Sequence, residues 1–113
     1  MYSIKYSSKS YKDIDNFINS YKNIFKKLYN DTGIDNEDII IQNYVNVSNK
    51  LYSNIKNKIE SIFKEDILLW KRESSDNDIY IIASIDRLRM FIYFSEDNNE
   101  KIRFIEEIEF FKK

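Results

Sequence analysis

Between Ile79 and Phe94 the chain runs through two seven-residue apolar stretches separated only by Asp86 and Arg87. No other feature restricts the fold as much. If Asp86 and Arg87 form a two-residue loop, the cross-strand partners are fixed: Ile85 with Leu88, Ala83 with Met90, Ile81 with Ile92, and Ile79 with Phe94. Side chains alternate along a strand, so these eight apolar residues share one face, the face toward a core. The opposite face then carries Ser84 beside Arg89, Ile82 beside Phe91, and Tyr80 beside Tyr93. That second face is aromatic and mixed in polarity, a composition suited to contact with something else.

Composition excludes more functions than it suggests. With 113 residues and 42% hydrophobic content, the chain can bury a core as one domain spanning residues 1–113. It has no cysteine and no histidine, which removes thiolate chemistry, disulfides, the usual general base and the commonest metal ligand. One glycine and no proline leave no glycine-rich phosphate loop. No cofactor or metal is expected. The opening Met1-Tyr2-Ser3-Ile4-Lys5-Tyr6 lacks the apolar run of a signal peptide, and no segment approaches a membrane span. The expectation is a cytoplasmic protein with no membrane role. A net charge of −1 gives no global attraction to nucleic acid.

The chain in order reads β-α-α-β-β-β, with room for one more strand. Tyr2, Ile4 and Tyr6 alternate with polar residues as a short strand. Ser10, three residues before Asp13, predicts a capping box. Behind it Tyr11, Ile14, Phe17, Ile18, Tyr21, Ile24, Phe25 and Leu28 form a helical stripe closed by Asp31-Thr32-Gly33. Asp35 and Asp38 predict a second start. Ile40, Tyr44, Val47, Leu51, Ile55, Ile59 and Ile62 then continue over residues 37–65. A helix that long either breaks near Asn46 to Asn49 or packs its far end on a partner, which allows a homodimer through this helix. Ile67-Leu68-Leu69-Trp70 ends the helix or starts a strand. Residues 101–111 read as the last strand, with Ile102, Phe104, Ile108 and Phe110 inward, and Arg103, Ile105, Glu107, Glu109 and Phe111 outward. Glu106 interrupts this pattern, as an inward charge on an edge strand or a bulge does. The fold class is α+β: two long helices on one face of a three- to five-stranded antiparallel sheet.

The stretches Ile79-Tyr80-Ile81-Ile82, Asp86-Arg87-Leu88-Arg89-Met90-Phe91-Ile92-Tyr93-Phe94 and Ile108-Glu109-Phe110-Phe111-Lys112-Lys113 resemble the RelE/ParE toxin superfamily, especially its HigB-like branch. The opening Tyr2-Ser3-Ile4-Lys5-Tyr6-Ser7, followed by a helix, is similar too. The resemblance implies a toxin that cuts ribosome-bound mRNA or, in the ParE branch, acts on gyrase, and that binds an antitoxin. It implies roles for Arg89, which matches the family's strand arginine, and for Lys112 and Lys113, which match its terminal basic pair.

Two functions follow. In the first, the chain is a non-catalytic inhibitor that binds a partner protein through Tyr80, Ile82, Arg89, Phe91, Tyr93, Arg103, Ile105 and Phe111, because tyrosine and arginine concentrate at binding hot spots. Antitoxins, immunity proteins and phage proteins directed against host defence are of this kind. In the second it is a ribosome-dependent endoribonuclease, with Arg89 and Arg103 on phosphate and Lys112 and Lys113 anchoring RNA. Nucleic acid is a partner only under that alternative. Ile81 and Ala83 stand where ribonuclease members carry lysines, and from Ile67 onward eight basic residues face ten acidic ones. An RNA-binding sheet should be clearly basic, so the inhibitor is the first expectation.

Overall fold

The hairpin has the register its two-residue connection requires. In the computed structural model, β3 (Ile79–Ile85) pairs with β4 (Leu88–Asp97) from Ile79↔Phe94 to Ile85↔Leu88. Residues 1–31, 37–68, 70–76, 78–85 and 88–112 are described, with side chains except those of 21–31, 37–41, 43, 44 and 112. The Asp86-Arg87 loop itself, the Thr32-Gly33 cap, the second helix start at Asp35, Leu69 and Lys113 lie outside the described residues. So do the side chains of Tyr21, Ile24, Phe25, Leu28, Ile40 and Tyr44.

Five strands form one sheet in the order β1-β5-β4-β3-β2, with β1 at Ser3–Tyr6, β2 at Arg72–Glu73 and β5 at Ile102–Lys112. The pairings β2–β3, β3–β4 and β4–β5 are antiparallel, whereas β1 runs parallel to β5. The sheet is therefore mixed rather than wholly antiparallel. β1 reaches its neighbour across the whole chain instead of through a turn, so no hairpin dictates its direction. Two residues of β2 supply the additional strand.

The helices α1 (Ser8–Asp31) and α2 (Glu37–Phe63) cover one face of this sheet. Ile14 and Ile18 from α1 meet Ile55, Ile59 and Phe63 from α2, over Ile81, Ala83, Leu88, Met90, Ile92 and Phe94. The Phe17 ring stacks on Phe110 at 4.4 Å. These core residues come from the first half of α1 and the last half of α2. α2 does not break at Asn46 to Asn49 but runs 27 residues without interruption, about 40 Å at the helical rise. The molecule is accordingly long, 55 Å by 26 Å by 23 Å, and Val45 and Val47 on α2 are exposed.

The amino-terminal cap differs from the expectation. α1 starts at Ser8, and Ser7 caps it, its Oγ accepting the Ser10 N–H at 3.0 Å. Ser10 is buried and donates its own hydroxyl to the Ser7 carbonyl. Asp13, freed from capping, accepts the Ile108 N–H of β5 at 3.0 Å and an ion pair from Lys9. β1 stops pairing with β5 at Ile105, so this carboxylate satisfies a strand edge that β1 does not reach. After Phe63 the chain neither prolongs the helix nor starts a strand: residues 64–68 form a turn in which Leu68 packs on the core and Ile67 is exposed.

Candidate functional site

The face of the sheet away from the helices is built by the parity of β3, β4 and β5. Tyr80, Ile82 and Ser84 sit beside Tyr93, Phe91 and Arg89, and β5 adds Glu107, Glu109 and Phe111 next to them. Four rings touch in sequence. Tyr93 meets Tyr80 at 5.3 Å, Tyr80 stacks on Phe91 at 5.8 Å, and Phe91 meets Phe111 at 5.1 Å. These separations are those of favourable aromatic pairs. Partial burial and then the Glu109 carboxylate push the Tyr93 phenol above its ordinary range, so it stays a hydrogen-bond donor. None of these residues belongs to the core, and among the described residues no helix or strand lies over them.

Two of the expected face residues are not there. Continuous alternation along β5 predicts Arg103 and Ile105 outward, but both point into the core, 1% and 0% exposed. The cause is a bulge: Tyr93 pairs with Glu107 and Phe94 with Ile105, leaving Glu106 without a partner on β4. One extra residue reverses the parity before it. Phe104, expected inside, is accordingly exposed. Of the two explanations for Glu106, the bulge holds, because β5 lies between β1 and β4 and is no edge.

Arg103 is instead a fastener. Its Nη1 donates to the Phe63 carbonyl at 2.6 Å and to the Glu65 carbonyl, and its Nη2 donates to the Asp66 carbonyl at 3.2 Å. Its guanidinium lies 3.7 Å from the Tyr2 ring centroid, and Glu96 approaches Nε at 3.9 Å. A cation at a helix carboxyl end meets unsatisfied carbonyls and the negative end of the dipole. Arg103 is thus withdrawn from both a partner protein and an RNA phosphate. Lys112 closes β5 beside Leu88 with its side chain outside the described residues, and Lys113 lies outside them altogether.

Sequence reasoning missed Trp70 and Arg72. With Ile82, Ser84 and Arg89 they line an open pocket of about 470 Å³ at the β3 end of the same face. Trp70 is 82% exposed and adopts the left-handed backbone conformation, φ 69°, which costs a non-glycine residue about 1–2 kcal/mol. The signal was present: a tryptophan closing an apolar run and followed at once by Lys71-Arg72. The face therefore offers ring surface and guanidinium groups rather than a nucleophile with a base. Among the described residues no cluster of three acidic side chains could hold a metal, and no helix is long and apolar enough to cross a membrane. Protein-family models, curated proteins and solved structures all give no match to this chain.

Proposed function

We propose that the chain is a non-catalytic inhibitor that binds a partner protein through the outer face of its sheet and works by occupying the partner's surface. The observation that carries this reading is the uncovered ladder of Tyr93, Tyr80, Phe91 and Phe111 beside Arg89. Phe111 is exposed and Tyr80, Phe91 and Tyr93 are half-buried against one another, so the ladder still presents ring surface to water. Contiguous aromatic surface of this kind marks interaction sites, and rings flanked by arginine make the strongest anchors. Glu107 and Glu109 on the same face repel phosphate and favour a protein surface of mixed charge over RNA. The ribonuclease reading retains Arg89, Lys112 and Lys113, but Arg103 lies inside the fold.

The test is recovery of a partner from the native host by the wild-type chain and by Phe91→Ala and Tyr93→Ala, followed by affinity measurement with the isolated partner. Each substitution should weaken binding by about 2 kcal/mol, roughly thirtyfold, as hot-spot truncations do. Equal affinity in all three would overturn the reading. Growth arrest on expression, with site-specific mRNA cleavage abolished by Arg89→Ala, would transfer the assignment to the ribonuclease toxin.

A further inference from the structure

The edge of β3 is covered only at its first two residues. β2 pairs with Tyr80 and Ile79 through Arg72 and Glu73 and goes no further. The Ser74 N–H donates to the Asp78 carbonyl at 2.8 Å, which makes that pair hydrogen-bonded. Antiparallel ladders alternate between bonded and non-bonded pairs. The bonded positions after Asp78 are therefore Tyr80, which faces Arg72, and then Ile82 and Ser84. No strand lies beside those two among the described residues, so their N–H and C=O groups point out of the sheet. Trp70 would oppose Ile82 if β2 continued, but its left-handed backbone turns the chain out of the strand. The open edge, residues 81–85, is roughly 17 Å long.

The side chains beside this edge give it a charge preference. Arg72 and Arg89 line the pocket that contains Ile82 and Ser84, and neither is paired with a carboxylate among the described residues. Lys71, the neighbour of Arg72, does have one, with Glu96 at 3.5 Å. Trp70 supplies a flat apolar wall.

We infer that an extended segment of the partner adds to the sheet at Ile82 and Ser84, alongside β3, and places an acidic side chain on Arg72 and Arg89. Main-chain bonds to an open edge supply affinity in this mode, and side-chain pockets supply selectivity. This rests on the protein-binding reading and names what the partner presents. A second copy of the chain is a poorer occupant. Two β3 edges related by a twofold axis would bring four of these arginines to one short stretch, with no carboxylate between them among the described residues.

The probe is a capped, labelled seven-residue peptide of alternating valine and glutamate, compared with its lysine-for-glutamate counterpart. The acidic peptide should bind about tenfold or more tightly than the lysine one, and the backbone amides of Ile82 and Ser84 should exchange about tenfold more slowly in its presence. Ser84→Pro should abolish both effects while leaving the melting temperature within a few degrees, because the lost N–H bonds nothing in the free protein. Arg89→Glu, which keeps the edge intact, should reverse the preference between the peptides. Equal binding of the two peptides, or protection away from Ile82 and Ser84, would overturn the inference. So would a dimer of the free chain that Ser84→Pro dissociates. If Ser84→Pro keeps the native partner while Phe91→Ala loses it, strand addition fails and the protein-binding reading stands. If both keep it, that reading fails as well.

Discussion

Replacing Arg103 with methionine tests the fastener directly. Methionine approximates the length of the side chain but supplies none of its donors. Three carbonyls lose a charged partner, those of Phe63, Glu65 and Asp66. Hydrogen bonds to charged groups contribute about 1.5–3 kcal/mol each, which sets a gross loss of about 4.5–9 kcal/mol. Two offsets reduce it. Glu65 and Asp66 lie in an exposed turn where water can replace the guanidinium. Removing a buried charge also recovers its desolvation cost. The net expectation is a destabilisation of about 2–4 kcal/mol, most of it from the Phe63 carbonyl and the lost stack on Tyr2. For a urea slope of about 2 kcal/mol per molar, the unfolding midpoint should fall by about 1–2 M with little change in slope. Arg103→Lys should recover less than half, since an ammonium cannot span three carbonyls as a planar fork does. A midpoint shift below about 0.3 M for Arg103→Met would refute the assignment and return Arg103 to the surface.

Further outcomes follow from neighbouring contacts. Ile92→Ala should cost about 2–5 kcal/mol in the same assay, whereas Phe91→Ala, one residue away on the outer face, should cost less stability and more binding; the reverse order would mean the faces are exchanged. Asp13→Ala should cost about 1–3 kcal/mol by leaving the Ile108 N–H unsatisfied, and hydrogen exchange at that amide should quicken; an unchanged rate would dispose of the contact. Burial, and then the charge of Glu60, push the Tyr6 phenol far above its ordinary value of 10.0. The unfolded chain therefore ionises first, and this contribution, complete below pH 10.0, is lost as pH rises beyond it. Tyr6→Phe should flatten the alkaline fall in stability without harming the neutral plateau, because the buried hydroxyl has no hydrogen-bond partner; an unaltered alkaline limb would rule Tyr6 out as its source.

What could be read from the sequence was local. The β3–β4 register followed from two apolar runs and a fixed spacer, and all seven pairs agree. Strand parity after the bulge was equally legible, which is why Ile108 and Phe110 face inward as expected. The failures arose where one residue's conformation depends on distant partners. At Glu106 the bulge is held by Ser7, whose hydroxyl donates to the Glu106 carbonyl at 2.7 Å across 99 positions, and no window of β5 contains that information. Arg103 and Ile105 changed faces with it. The capping box at Ser10 was chemically sound, but Ser7 offers the same hydroxyl and is anchored by β5, so tertiary contact selected between two equivalent caps. Trp70 followed by Lys71-Arg72 is a signal in the sequence, but an apolar run reads as structure until its last member is shown to lie outside, as Trp70 does.

The placement of β1 has a consequence for the order of assembly. β3, β4 and β5 are sequential neighbours, so their ladders close short loops and can form early. β1 and its attachments join positions 95 to 99 apart, through Ser7 to the bulge and Asp13 to Ile108. Closing so long a loop pays its entropy before any contact rewards it. The meander should therefore nucleate, and β1 with the first turns of α1 should dock last. Run backwards, the same sequence makes this amino-terminal arm the first part to open. Its release strips Ser7 from Glu106 and Tyr2 from Arg103 together, so the bulge and the α2 fastener loosen as one unit while the aromatic ladder across β3, β4 and β5 stays assembled.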